Sequence, residues 1–329
     1  MKKIINEPQN IIEEMLEGMV KSYSTLVHRV DDSRVIAKNQ TENAQVGLVS
    51  GGGSGHEPAH AGFVGDGMLS AAVLGDVFTS PTPDQIERAI EATNQGKGVL
   101  LIVKNYTGDI LNFEMAKDLA EMNDIPTEIV VVDDDIAVED STYTAGKRGV
   151  AGTVLVHKIL GDAARSGASL AELKELGEKV VQATKTIGVA LAAATVPEVG
   201  KPGFTLAEDE IEFGVGIHGE PGYRREKLQP SKQLAQELVE KLVQAYPETP
   251  KKVGVLVNGM GGTPLMEQFV FINDVLTLLA AKDIDVDFHK VGNYMTSIDM
   301  QGLSLTLIDL TTTEWTKALT SPVATISWG

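Results

Sequence analysis

Residues 46–58 read VGLVSGGGSGHEP, an apolar segment that runs into a glycine-rich stretch and ends in His56, Glu57 and Pro58. The apolar residues predict a strand over 46–50, and glycines at this density let a loop come close to a ligand. Open α/β sheets place small-molecule sites beyond the carboxyl ends of their strands. The segment therefore predicts an α/β fold with a binding site at a loop that follows this strand.

Strand and helix patterns alternate along the chain up to residue 150, which indicates βαβ units and a largely parallel sheet. An apolar stripe at helical spacing predicts a first helix over 9–23. The further predicted strands are 69–74, 98–103 and 127–132, and the helices between them are 83–95 and 109–122.

Residues 150–195 differ, because they read as two helices in succession, 150–166 and 169–184. The second begins at a Ser-Leu-Ala-Glu capping box. The alternation then restarts, with strands predicted at 211–217, 253–257, 284–289, 303–308 and 323–327 and helices at 231–245 and 263–281. We therefore predict two α/β domains, 1–184 and 185–329, each a mostly parallel or mixed sheet flanked by helices.

The composition excludes several classes of protein. Lys and Arg total 28 against 46 Asp and Glu, and the net charge of −18 argues against nucleic acid as a partner, because phosphate contacts need clustered cations. The absence of cysteine excludes disulfides and thiolate metal sites. No apolar run approaches the roughly 18 residues of a membrane-spanning helix, and the N-terminal residues lack the apolar core of a signal peptide. We expect a cytoplasmic protein that binds neither membrane nor nucleic acid.

His56 and His60 lie in HEPAH, which matches the H-E-x-x-H pattern of zinc hydrolases. That pattern needs both histidines on one face of a helix, whereas here glycine and serine precede His56 and Pro58 follows it. No third ligand stands at a familiar spacing. A zinc hydrolase is therefore a remote alternative, and His60 is interpreted as a structural histidine.

His218 lies in GVGIHG, 214–219, which matches the G-x-G-x-x-G pattern of dinucleotide sites. Such a site needs a helix to begin at the glycines, but Glu-Pro-Gly follows here, so we expect no dinucleotide. The histidine between glycines at a strand end is either a turn residue or an exposed nucleophile. The other histidines show no partner and are assigned no role: His28, His157 and His289.

Three further polar segments accompany predicted strand ends. KNYTGD, 104–109, places Lys104 and Asp109 between a strand and a helix, where Asp109 is a candidate cap, a candidate catalytic group or both. The carboxylates of 133–135 are interpreted as solvated or capping rather than as a Mg²⁺ site. The cationic loop 146–152 is a hypothetical contact for an acidic partner or nucleotide. The sequence has no P-loop and no protein-kinase glycine loop, so nothing obvious holds a nucleotide.

Seven stretches carry a resemblance to a known family. They are SGGGSGHEP, GDVFTSPTPD, LLIVKNYTGD, the VVDDD strand end, YTAGKRGVAGTVLVHK, GKPGFTLAEDEIEFGVGIHGEPG and the closing ISWG. Together they resemble the substrate-binding subunits of dihydroxyacetone kinases, and the resemblance covers essentially the whole chain. It implies two α/β domains, a homodimer and a histidine that binds the ketone covalently.

Carried onto matching positions, the resemblance makes His218 the residue that attacks the carbonyl of dihydroxyacetone to form a hemiaminal. A neutral imidazole is a competent nucleophile, and an unperturbed pKa of about 6.5 leaves most of it neutral at pH 7. His56 and Asp109 are implied as the groups that accept the proton of the attacking hydroxyl. The implied substrate contacts are Gly53, Ser54, Gly55, His56, Ser80, Lys104, Asp109 and His218.

The resemblance also implies partners. It is to the stand-alone subunit of the bacterial phosphoenolpyruvate-dependent system of glycerol metabolism. We therefore expect a phosphotransferase with no cofactor and no metal on this chain. ADP and Mg²⁺ are expected on a partner L subunit, which a phosphotransferase-type M subunit recharges. The alternative is a paralogue that binds dihydroxyacetone as a sensor and transcriptional co-activator without transferring phosphate.

Overall fold

The fold consists of two six-stranded sheets, each flanked by helices, within the residues that the computed structural model describes, 2–39, 43–138 and 145–329. Both sheets mix parallel and antiparallel pairs, which confirms the predicted fold class. None of the described helices is both long and apolar enough to cross a membrane.

The first sheet has the strand order β1-β2-β4-β3-β5-β6, in which the last four strands are parallel to one another. Its strands are β1 (Val27–Arg29), β2 (Val35–Lys38), β3 (Gly47–Ser54), β4 (Ala71–Val77), β5 (Val99–Lys104) and β6 (Thr127–Val132). Its helices are α1 (Ile11–Ser22), α2 (Pro83–Thr93), α3 (Thr107–Met122), α4 (Thr153–Arg165) and α5 (Leu170–Ala183). Helices α3 and α5 contact β5, a strand buried along its whole length. An apolar run without alternation is typical of such a strand.

The second sheet has the strand order β11-β10-β12-β7-β8-β9, and only β10 and β11 are parallel. Its strands are β7 (Thr184–Ala192), β8 (Glu210–Phe213), β9 (Arg224–Lys227), β10 (Lys252–Gly259), β11 (Asp285–Gly292) and β12 (Gln301–Asp309). Its helices are α6 (Ser231–Gln244), α7 (Leu265–Ala281) and α8 (Thr313–Thr320).

Most of the glycine-rich segment is a strand, so the loop predicted after Ser50 is wrong for residues 51–54. Strand β3 continues to Ser54 and pairs with β4 on one side, where Gly51 lies opposite Val73. A Cβ on Gly51 would lie 2.4 Å from the Val73 carbonyl oxygen, so the glycine allows an approach that a larger residue would block. The binding surface therefore begins on a rigid element.

Other differences concern short or fully buried strands. Residues 184–192 were predicted within an all-helical stretch, but they form β7, which lies between β12 and β8 and has apolar residues on both faces. Strands β1, β2 and β9 were not predicted. The strand predicted at 323–327 is wrong: that segment makes one isolated bridge, from Ala324 to Asp66. The capping box of α5 is confirmed by reciprocal bonds between Ser169 and Glu172.

One hydrophobic cluster spans both sheets. It joins residues of α4 and β3 to Leu256 on β10, to Phe288 on β11 and to Trp328 near the end of the chain. Helix α8 also packs against α4. The division into 1–184 and 185–329 stays a prediction, because the two sheets share this core.

Candidate active site

A cavity of about 390 Å³ opens where the carboxyl ends of the first sheet meet a loop of the second half. Four of the predicted site residues line it, namely Gly53, Ser80, Asp109 and His218. Its other walls come from residues that the sequence analysis did not single out: Phe78, Tyr106, Thr107 and Gly108. The two halves of the chain therefore supply opposite walls of one pocket.

The other four predicted residues, Ser54, Gly55, His56 and Lys104, do not line this cavity. The Ser54 hydroxyl donates a 2.7 Å hydrogen bond to the Gly75 carbonyl inside the sheet. The Gly55 backbone N–H donates to the Glu57 carboxylate at 3.1 Å. These bonds shape the turn that carries His56, and the role of Ser54 and Gly55 in binding substrate stays a prediction.

His218 stands in an irregular loop after β8, with no helix at its glycines, as the rejection of a dinucleotide site requires. Its ring meets three other rings edge-on, with centroid distances of 4.4 Å to Tyr106, 4.9 Å to His56 and 5.5 Å to Phe78. Desolvation, followed by the positive charges of Lys104 and Arg148, lowers the pKa of His218 to about 3. The imidazole is therefore neutral and nucleophilic over the whole physiological pH range.

The protonation of His56 is determined by the second half of the chain. Its Nδ1 lies 2.8 Å from the Thr296 carbonyl oxygen, which can only accept, so Nδ1 carries the proton. Nε2 is then a bare acceptor, and it is buried without a partner among the described residues. Burial lowers the pKa of His56 well below 6.5, and His218 and Lys104 lower it further. His56 therefore offers a proton acceptor beside the His218 ring.

Lys104 and Asp109 form a buried pair, and Asp109 lines the cavity. The Lys104 Nζ lies 3.7 Å from the Asp109 Oδ2, and both side chains are at most 5% exposed. Burial raises the pKa of Asp109, whereas Lys104 and the Ser80 hydroxyl lower it. Asp109 lies in the first turn of α3, and Tyr106 at the N-cap provides no side-chain cap. Asp109 lines the cavity, and its predicted catalytic role stays a prediction.

Gly52 on β3 makes room for this pair. Its φ of 148° lies in the region that favours glycine, and a Cβ there would stand 2.6 Å from the Lys104 Nζ and 3.3 Å from the Asp109 Oδ2. Any larger residue would push the ammonium away from the carboxylate. The glycine-rich sequence therefore serves close packing inside a strand next to the site.

Glu220, Thr296 and Tyr106 are the important residues that sequence reasoning missed. Glu220 accepts from the backbone N–H of His218 at 3.0 Å and binds Arg148 at 3.1 Å. A carboxylate two residues after the candidate nucleophile, in HGEP, was the available signal. Thr296 acts through its backbone, so no side-chain pattern could have revealed it.

The loop 146–152 does not present two free cations to a partner. Arg148 is 1% exposed, lies 2.6 Å from the Asp135 carboxylate, and donates to the Gly214 carbonyl oxygen at 2.8 Å. The hypothetical partner contact is therefore wrong for Arg148, which instead supports the loop that carries His218. The earlier part of this motif, 139–144, lies outside the described residues.

Of the carboxylates of 133–135, Asp133 is exposed, as the solvated interpretation predicts, whereas Asp134 and Asp135 are each 1% exposed. Asp134 accepts from the backbone N–H groups of Val150 and Gly152, both at 2.8 Å, just before α4. The capping interpretation holds for Asp134. Burial raises the pKa of Asp135 to about 6, although Arg148 opposes the shift.

HEPAH lacks the geometry of a zinc hydrolase, because residues 56–60 form turns and no helix. Both nitrogens of His60 have other contacts, with Nε2 2.9 Å from the Lys104 Nζ and Nδ1 2.9 Å from the His157 Nε2. No group of three or more potential metal ligands occurs within the described parts of the chain. His157, to which no role was assigned, is thus a buried partner of His60.

A family model described as the Dak1 domain matches residues 17–327. The chain belongs to the Dak1 family. A Dak1 relative from Lactococcus lactis, named "PTS-dependent dihydroxyacetone kinase, dihydroxyacetone-binding subunit DhaK", is 62% identical over 329 residues and covers 100% of this chain and 99% of its own length.

Two solved structures of the family have names that describe different functions. The "Dihydroxyacetone kinase operon co-activator Dha-DhaQ" has a TM-score of 0.91 at 43% identity, over 98% of this chain and 99% of its own. The dihydroxyacetone kinase of C. freundii has a TM-score of 0.89 at 36% identity, over 99% of this chain and 60% of its own. The Dak1 fold thus occurs in both a kinase and a co-activator, so the choice between them rests on the site.

Proposed function

We propose that this Dak1 chain is the dihydroxyacetone-binding subunit of a phosphoenolpyruvate-dependent dihydroxyacetone kinase. The observation that carries the proposal is the neutral His218 at the cavity, with the bare Nε2 of His56 on one side and the Lys104–Asp109 pair on the other. This arrangement places a nucleophile at the cavity, a proton acceptor beside its ring and a buried cation next to the carboxylate that lines the cavity. The high identity to the L. lactis subunit supports the same reading.

Capture of the ketone follows from the neutral imidazole. The lone pair of His218 attacks the carbonyl carbon, and the π electrons of the carbonyl move to its oxygen. The ring loses its N–H proton as the oxygen gains one, so a neutral hemiaminal results. Glycerol has the hydroxyls but no carbonyl and cannot form this bond. Packing alone would separate such similar molecules by only about 10–200-fold.

The bound triol-like adduct presents a hydroxyl for phosphorylation. Asp109 or His56 accepts the proton of that hydroxyl, and the Gly53 backbone and the Lys104 ammonium fix the other oxygens. Phosphoryl transfer has a loose transition state, so positioning contributes more than strong base catalysis. The donor is an ADP-carrying L subunit with Mg²⁺, recharged through an M subunit, and this chain acts in the cytoplasm as a homodimer.

The alternative is a co-activator that binds dihydroxyacetone without transferring phosphate. It has a specific basis, because the co-activator structure is 43% identical and nearly superimposable. The 62% identity to a kinase subunit favours the enzyme. The Lys104–Asp109 pair also favours the enzyme, because capture of the ketone by His218 needs no carboxylate, whereas phosphoryl transfer can use one as a proton acceptor.

A reconstituted assay tests the proposal. The chain is mixed with purified L and M subunits of a bacterial dihydroxyacetone kinase, the phosphotransferase proteins and phosphoenolpyruvate, and the phosphorylated ketone is measured. Intact-protein mass spectrometry follows the hemiaminal in parallel. We expect product and an adduct, with both lost in His218→Ala and both retained in the control His28→Ala on exposed β1. An adduct without product would identify the co-activator, and an adduct in His218→Ala would refute the assignment of the nucleophile.

A further inference from the structure

A row of buried side chains leads away from the cavity behind Lys104. The Lys104 Nζ lies 2.9 Å from the His60 Nε2, and the His60 Nδ1 lies 2.9 Å from the Nε2 of His157 on α4. All three residues are at most 4% exposed. The proposed reaction uses Lys104 and not the two histidines, so their role is open.

Ser50 on β3 determines where the proton of His60 lies. Its hydroxyl donates to the Ile102 carbonyl oxygen at 2.7 Å, so its only proton is already used. The Ser50 Oγ also lies 3.4 Å from the His60 Nδ1. An oxygen without a free proton can only accept, so the contact favours a proton on Nδ1. The neutral ring then has a bare Nε2.

A bare Nε2 facing Lys104 requires the lysine to be the donor. A charged ammonium has three protons and no lone pair. Its three neighbours are the Gly51 carbonyl oxygen at 3.1 Å, the His60 Nε2 at 2.9 Å and the Asp109 Oδ2 at 3.7 Å. The first two can each accept a hydrogen bond and the carboxylate supplies the counter-charge, so the surroundings match the cation and leave it one proton for a substrate oxygen. The opposite arrangement would place N–H on Nε2, make Lys104 neutral and leave Asp109 without a cation.

We propose that His60 is a positioning residue, which Ser50 holds in the tautomer that fixes Lys104 as an ammonium beside Asp109. His60 does not touch the cavity and acts through Lys104. Its effect on chemistry is to keep Asp109 ionised in a buried site, where a carboxylate without a cation would take up a proton.

The electrostatics agree with this arrangement. Burial lowers the pKa of Lys104, and Asp109 opposes that shift. Burial, followed by Lys104 and His157, lowers the pKa of His60 well below 6.5, so the ring stays a neutral acceptor. The titratable groups that face the Lys104 ammonium from the surrounding elements are Asp109, His56, His60, His157 and His218.

The first test is nuclear magnetic resonance of the full-length protein labelled with ¹⁵N-histidine and with ¹³C at the aspartate carboxyls. We expect His60 to show a protonated Nδ1 and an unprotonated Nε2 at pH 7. A proton on Nε2 would overturn the proposal. This measurement needs no variant except for assignment, so it decides even if substitutions at His60 prevent folding.

The second test compares His60→Leu, which removes the acceptor, with His60→Gln, whose amide oxygen replaces it. In His60→Leu we expect the Asp109 carboxyl to titrate at higher pH than in the wild type. The acid limb of the kcat profile should move the same way, and kcat should fall by about 10–100-fold. His60→Gln should restore both, and His28→Leu is the surface control. An unchanged Asp109 titration in folded His60→Leu would refute the proposal.

Only the expected change in kcat rests on the proposed function. The tautomer of His60 and the titration of Asp109 can be measured without it. If the reconstituted enzyme makes no product while the carboxyl titration shifts as expected, the kinase proposal fails and the role of His60 stands. If product forms but the Asp109 titration does not move, the kinase proposal stands and the role proposed for His60 fails.

Discussion

The carboxylate of Glu220 accepts a hydrogen bond from the backbone N–H of His218 at 3.0 Å and binds the Arg148 guanidinium with its other oxygen at 3.1 Å. Arg148 in turn bonds Asp135, next to the end of β6. The loop that carries the candidate nucleophile is therefore fastened to the first sheet through one buried arginine. A buried charge left unpaired costs far more than the pair contributes, so this link is sensitive to single changes.

Glu220→Gln should weaken capture of dihydroxyacetone. An amide cannot accept from both the backbone N–H and the guanidinium, so one of the two bonds is lost, and hydrogen bonds to charged groups contribute about 1.5–3 kcal/mol. We expect the dissociation constant, measured by calorimetry, to rise by about tenfold or more. Glu248→Gln, at an exposed position, serves as the control. Unaltered affinity would show that the loop holds its shape without Glu220.

Gly52→Ala should lower the turnover rate. The new methyl group would stand 2.6 Å from the Lys104 Nζ, at a backbone conformation that alanine rarely adopts, and would displace the ammonium from Asp109. A shift of about 1 Å in such a group can cost on the order of 10²-fold in rate. Gly18→Ala is the matched control, because its Cβ would enter open space on α1. Equal rates for both variants would contradict the crowded geometry.

Asp109→Asn should reduce kcat while leaving the adduct in place. The amide keeps the shape of the side chain but cannot accept a proton, and general base catalysis contributes typically about 10²–10⁴-fold. Capture depends on His218, so the adduct mass should persist. Asp118→Asn, exposed on the same helix, controls for a loss of charge on α3. Full activity of Asp109→Asn would leave His56 as the proton acceptor.

His157→Leu should make stability less dependent on pH. Burial and Lys104 lower the pKa of His157 to about 3, below the unfolded value of about 6.5, so the unfolded chain binds the extra proton between these limits. The free energy of unfolding therefore falls as pH decreases from about 6.5 towards about 3.

Each such histidine contributes a slope of about 1.4 kcal/mol per pH unit. Denaturant titrations at pH 7 and pH 5 should show the slope reduced in His157→Leu by about 1 kcal/mol per pH unit, because an unfolded histidine is only partly protonated at the upper end of this range. The opposing contribution of Asp135, whose pKa rises to about 6, is common to both proteins and cancels. An identical slope in the variant and in wild type would mean that His157 is already charged in the folded protein.

The long periodic elements were predictable from sequence, because their patterns are local. Helices α1, α2, α3, α6 and α7 and strands β4, β5, β6, β10 and β12 lie close to their predicted bounds. Strand β7 was not predictable, since its apolar residues reflect burial on both faces, which a helix in a core also shows. The glycines at 51–53 likewise indicated a loop, because the sequence does not show that β4 pairs with them along one side.

The site divides in the same way. Gly53, Ser80, Asp109 and His218 reach one cavity, and the long motifs that contain them indicated this. The contacts that position these residues could not be predicted, because they join residues far apart in sequence. Arg148 looked like a surface cation until Asp135 and Glu220 were placed beside it. His157 looked isolated until the fold brought it to His60.

The hydrogen bond from the His56 Nδ1 to the Thr296 carbonyl oxygen joins 240 positions of sequence. A chain whose halves had each formed their sheets but had not yet met would lack both this bond and the facing His218. Such a chain would lack the arrangement of His56 and His218 on which the proposed capture of the ketone depends. Under the proposed mechanism, reactivity towards ketones would therefore report that the two halves have assembled.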